Sequence, residues 1–123
     1  KQEGSVFGKR FGNGGGVTNA VIECFKEKGE SADVKVARCS GAAEVKKALL
    51  LLKVGRLPED FIEGMMCQGG CVGGPSNLKQ EMAFKKDRDA VIAKADGRGV
   101  WENLKNYDMD SFSMHRSYEK PEA

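Results

Sequence analysis

Cys67 and Cys71 are the residues whose type and spacing point to chemistry. They stand in Glu63-Gly64-Met65-Met66-Cys67-Gln68-Gly69-Gly70-Cys71-Val72-Gly73-Gly74-Pro75, separated by Gln-Gly-Gly and followed by a second glycine pair. Thiolates are the usual ligands of iron–sulfur clusters. Glycines around them let the backbone wrap closely about a bulky inorganic core. Their N–H groups can face sulfides and stabilise negative charge. A Cys-x-x-Cys pair would suggest thioredoxin-like redox work or a zinc knuckle. The wider gap, with glycine before the second cysteine, fits neither. The plain alternative is two buried thiols in a glycine-rich turn, but packing gives no reason for so many glycines there.

A four-coordinate cluster needs two more thiolates. The chain has two other cysteines, Cys24 and Cys39. Cys24 falls at helical spacing with Val17, Ala20, Val21 and Phe25, and reads as a small buried hydrophobe. Cys39 ends a predicted strand. Burial is its ordinary reading and ligation the alternative. In a secreted chain an even cysteine count would suggest disulfides. The start, Lys1-Gln2-Glu3-Gly4, has no apolar leader segment. Reduced thiols and a cytoplasmic location are therefore expected. The absence of an initial Met further suggests a piece of a longer protein or a processed product.

The elements that must position these residues can be read from pattern. Val6 to Phe11 reads as a short strand, followed by the turn Gly12-Asn13-Gly14-Gly15-Gly16. A helix follows, with Asn13 or Thr18 as its N-cap and Gly29 as its stop. Asp33 to Cys39 alternates as a strand. Ala42 to Val54 is a strong helix, closed by Gly55 and Pro58. Phe61-Ile62 begins a third strand, leading into Met65 and the cysteines. This order predicts an α/β fold: a small, mostly parallel sheet of three to four strands flanked by helices. Ligands of such sheets sit outside the carboxyl ends of the strands, where both glycine-rich segments are expected.

Beyond Asn77, a highly charged helix is expected over about Leu78 to Ala95, with Met82, Ala83, Ala90 and Val91 as a thin apolar stripe. Its charges read as a solvated face, with docking of a redox partner as the alternative. A short helix over Val100 to Lys105 and an irregular polar tail over 106–123 would complete a helical C-terminal extension. Trp101 reads as the anchor of these last helices against the sheet. His115, the single histidine, reads as a surface residue. The domain reading is thus an α/β lobe over 1–95 and an extension over 96–123.

Bulk properties remove several classes. The 123 residues carry a net charge of +2, which leaves no basic footprint for nucleic acid or an anionic membrane. The longest apolar run, Ala48 to Leu52, has five residues. A spanning helix needs roughly 18. The 16 glycines are roughly twice the average share. A dinucleotide fingerprint is suggested by Gly12-Asn13-Gly14 but fails, because Val17 holds the third glycine position. An anion at this helix start remains open on general grounds.

The cysteine segment resembles the third cluster-binding signature of the iron-only (FeFe) hydrogenases, Met-Ala-Cys-Pro-Gly-Gly-Cys followed by a glycine run. Phe11-Gly12-Asn13-Gly14-Gly15-Gly16-Val17 is similar to the family's upstream Phe-Gly-x-x-Gly-Gly-Val. The resemblance covers about residues 5 to 80 and implies roles. Cys67 would ligate a 4Fe-4S cubane. Cys71 would ligate the same cubane, bridge to the two-iron subsite of the H-cluster, and so be catalytic. Met65 would pack beside the two-iron site, and Gly69 and Gly70 would line the cofactor. The implied activity is reversible H2 oxidation and proton reduction, with the rest of the catalytic domain and ferredoxin or a similar carrier as partners. Met66, Gln68 and Pro75-Ser76-Asn77 depart from the family's pattern. The two earlier signatures, Thr-Ser-Cys-Cys-Pro and Met-Pro-Cys-x-x-Lys, do not occur here. This segment alone is therefore expected to be inactive and nearly free of the cluster. The alternative from another class is a hydrogenase-like sensor of H2 or redox state, or an iron–sulfur assembly or carrier protein.

Overall fold

A computed structural model describes residues 4–78, 81–113 and 115, without the side chains of 81–84. The expected apolar positions Met82 and Ala83 lie outside the described side chains, and most of the tail beyond Ser113 lies outside the described residues. The fold is α/β. Its order is α1 (Val6–Lys9), α2 (Gly16–Glu27), β1 (Val36–Ser40), α3 (Ala42–Lys53), β2 (Phe61–Met65), α4 (Glu81–Ala93) and α5 (Val100–Leu104). Short 3-10 turns cover Cys71–Gly73 and Met109–Ser111.

The first segment corrects the expectation of a strand. Val6–Lys9 is a single helical turn, and the Ser5 hydroxyl caps it by accepting the Gly8 N–H at 3.3 Å. The chain keeps turning, with Phe11 N–H donating to Gly8 O and Asn13 N–H to Arg10 O. Its backbone donors are satisfied locally, so no ladder with another strand is needed. The sheet accordingly has two described strands rather than three or four. They pair in parallel, with Val36 opposite Phe61 and Ser40 opposite Met65.

α3 connects the two strands and packs on both. Val45 sits over Gly64 so closely that a Cβ there would lie 3.4 Å from Val45 Cγ2. Since side chains alternate along a strand, Glu63 and Met65 face the other side, toward α2. α2 and α3 both end as the glycine stops require. Gly29 (φ 71°) and Gly55 (φ 68°) adopt the left-handed conformation. Paired bonds from Glu30 to Phe25 and from Arg56 to Leu51 close the last turns.

The core is thin. Among the described apolar side chains only Ala20, Cys39, Ala48 and Ile92 are buried. Leu49, Leu50, Leu52 and Met66 are more than half exposed, on or beside α3. On α4, Ile92 makes the inward contact, whereas Val91 and Ala90 face out. Trp101 packs on α2 rather than on the sheet, with the Lys28 ammonium 4.5 Å from its ring centre. The Glu27 carboxylate caps α5 by accepting the N–H groups of Val100 (2.5 Å), Trp101 (3.0 Å) and Glu102 (3.3 Å).

Candidate metal centre

The two glycine turns meet at the end of the sheet. Gly14 N–H donates to Gly69 O at 3.1 Å, and Asn13 forms an isolated bridge with Gly70. Gly70 has φ 98°, and a Cβ there would collide with the Gly12 carbonyl and the Gly14 amide. No other residue lets the segments approach this closely. Gly69 is held from a second side, its N–H donating to the Ser40 hydroxyl at 2.8 Å. The loop between the cysteines is therefore pinned to the turn before α2 and to the end of β1.

Cys67 is half-buried and Cys71 exposed, and both are free thiols. Cys71 lies beside the first turn, its Cβ 3.9 Å from where a Cβ on Gly12 would be. Cys67 Sγ faces Gly74, where a Cβ would approach to 3.5 Å. Met65 closes β2, its carbonyl accepting the Gly41 N–H at 2.7 Å. A pocket of about 250 Å3 opens between the strand ends and the first glycine turn, lined by Arg38, Cys39, Ser40, Glu63, Met65 and Gly69 with Gly14 and Gly15. Of the sequence-predicted residues, Met65 and Gly69 line it, while Cys67, Gly70 and Cys71 lie beyond it.

Among the described residues, neither of the other two cysteines joins this pair in a group of three that could hold a metal ion. Cys39 is buried, and burial pushes its thiol above the ordinary range, with Glu44 and Glu59 adding repulsion to the thiolate. Cys24 is half-buried on α2. Desolvation raises its thiol as well, with Glu27 contributing.

Glu63 is the residue that pattern reading passes over. It is 5% exposed on β2. Its carboxylate accepts the Gly15 N–H at 2.9 Å, the Thr18 N–H at 3.3 Å and the Thr18 hydroxyl. Neither expected cap, Asn13 nor Thr18, occupies the N-cap of α2. Gly15 does, with φ 85° and no side chain to offer. The anion allowed at this helix start is the protein's own carboxylate. A charged residue inside a strand that must be buried is the signal that could have found it.

Donor chemistry decides what the loop can hold. Two free thiols on a glycine-rich loop suit an iron–sulfur group. Among the described residues no group of three or more Cys, His, Asp or Glu is gathered to hold a metal ion. The donor set of the loop is two thiols, which suits part of the four-thiolate shell of a cubane.

Residues 1–75 match the family described as iron only hydrogenase large subunit, C-terminal domain. The match takes in both glycine turns and both loop cysteines. No curated protein and no solved structure matches. No described helix is long and apolar enough to cross a membrane.

Proposed function

Because the chain belongs to the family of iron-only hydrogenase C-terminal domains, those of the large subunit, we propose that it supplies Cys67 and Cys71 as ligands to an H-cluster completed by the rest of the catalytic domain. When bound, that group supplies electron transfer through its 4Fe-4S cubane and polarisation of H2 at its two-iron subsite. Cys67 would hold the cubane. Cys71 would hold both parts and would be the catalytic ligand. Met65 would pack beside the two-iron site, and Gly69 and Gly70 would line the cofactor.

The single observation that supports this reading is the pinned loop. Two thiols are presented on a segment whose middle is tied to the turn before α2 and to Ser40. Preorganised ligands lose little freedom on binding metal. The thin core and the exposed apolar side of α3 suit a lobe, residues 1–95 with the extension 96–123, that docks on further protein. Ferredoxin or a similar carrier would deliver electrons, and the charged outer face of α4 suits such docking.

The test is hydrogen evolution from a reduced dye by the intact, anaerobically matured enzyme that carries this segment. Activity abolished by Cys71→Ala supports the proposal. A second reading, a sensor or an iron–sulfur carrier, is favoured by the departures at Met66, Gln68 and Pro75. Cluster absorption without turnover would establish it instead. Loss of neither activity nor absorption in Cys67→Ala and Cys71→Ala would overturn both.

A further inference from the structure

We infer that Glu63 is a positioning residue for the cysteine loop, acting through the glycine turn that opens α2. The inference rests on the proposal that Cys67 and Cys71 are ligands.

A buried carboxylate is costly unless its oxygens are hydrogen-bonded. Glu63 is 5% exposed, and it meets three donors from Gly15 and Thr18. An N-cap needs no such device. Ser, Asp or Asn at the cap position itself would satisfy the Thr18 N–H from a solvated surface. Here the cap is glycine, and the acceptor arrives from 48 residues along the chain. A local cap stabilises its helix. A distant one also fixes where that helix begins relative to the strand that carries the carboxylate.

The helix start so fixed is the turn that meets the cysteine loop. From Gly15 the chain passes back to Gly14, whose N–H donates to Gly69 O, and to Asn13, which bridges to Gly70. Those two residues lie between Cys67 and Cys71. In the other direction, β2 runs from Glu63 through Met65 and leads directly into Cys67. The two paths close a ring with Glu63 at one point and the cysteine loop opposite. Releasing the carboxylate opens the ring on the side of the turn, while β2 remains paired to β1.

The test uses the intact protein that carries this segment, produced without cluster maturation and so metal-free, and the rate at which iodoacetamide alkylates each cysteine, followed by peptide mass spectrometry. Cys39, buried within β1, reports global opening. In Glu63→Ala we expect Cys67 to react several-fold faster while Cys39 stays protected. Glu63→Gln, which keeps one acceptor oxygen, should recover part of the wild-type rate. Thr18→Val, which removes one donor without changing shape, should give a smaller increase. If Glu63→Ala does not fold, these two variants decide. An unchanged Cys67 rate, or Cys67 and Cys39 rising together, would overturn the inference and leave Glu63 a helix cap. The readout needs no cluster. Iron uptake by the same chains, measured separately, tells failure of the ligand proposal from failure of this one.

Discussion

The Ser40 hydroxyl accepts the Gly69 N–H at 2.8 Å, joining the last residue of β1 to the middle of the cysteine loop. Gly69 also offers its carbonyl to Gly14, so both polar groups of one residue are satisfied across the sheet end. Ser40→Ala leaves the Gly69 N–H without its acceptor. A cost of about 1 kcal/mol is expected. Amide exchange at Gly69 should quicken while that of β1 stays slow, which hydrogen-exchange NMR can resolve.

The proposed ligand role of Cys67 and Cys71 is tested by iron content. After anaerobic maturation of the intact enzyme, Cys67→Ala and Cys71→Ala should each weaken iron retention by more than the roughly 10–100-fold that an outer contact carries. Cys24→Ala should leave it unchanged, since that thiol lies on α2 and, among the described residues, joins no metal-holding group with the pair. Colorimetric iron per chain measures both.

Gly70 sits at φ 98° against the Gly12 carbonyl. Gly70→Ala should cost about 1–3 kcal/mol from the backbone conformation alone, and more from the collision. A fall in the urea midpoint measures it. Gly29→Ala is the control, since its φ is 71° with nothing within 4 Å of the added Cβ. It carries the conformational cost without the collision and should fall less.

The Cys39 thiol is raised by burial first, then by Glu44 and Glu59. A group raised on folding gives its full stability below its unfolded value and loses it as pH climbs toward the folded one. Stability should therefore decline from about pH 8.5 upward. Cys39→Ala should flatten part of that decline and Cys24→Ala, raised by desolvation, another part. Urea midpoints across about pH 8 to 10 would show this.

Glu27 holds the start of α5 through three N–H groups, beside the Lys28–Trp101 contact. Glu27→Ala should cost about 0.5–2 kcal/mol, the range of a lost cap. Exchange at Val100 to Glu102 should quicken while that at β1 does not. Equal exchange in mutant and wild type would show that Trp101 alone anchors α5.

Local chemistry makes much of this protein legible in its sequence. The glycine stops at Gly29 and Gly55, the helix from Ala42 and the strand entering Met65 follow from propensity and periodicity, which act over a few residues. The cysteine pair and its glycines suggest a chemistry for the same reason: ligand type and backbone freedom are properties of the segment itself. Val6–Lys9 departs from the strand expectation because a short apolar segment fits a strand or a helical turn equally well. The Ser5 cap and the lack of a pairing strand among the described residues decide the matter. Only the tertiary structure could pair Glu63 with Thr18, Ser40 with Gly69, and Gly14 with Gly69. These bonds join residues 29 to 55 positions apart. Nothing in a local pattern encodes which distant donor a buried carboxylate will meet. That is settled when parallel strands set their register and bring two glycine turns to one edge.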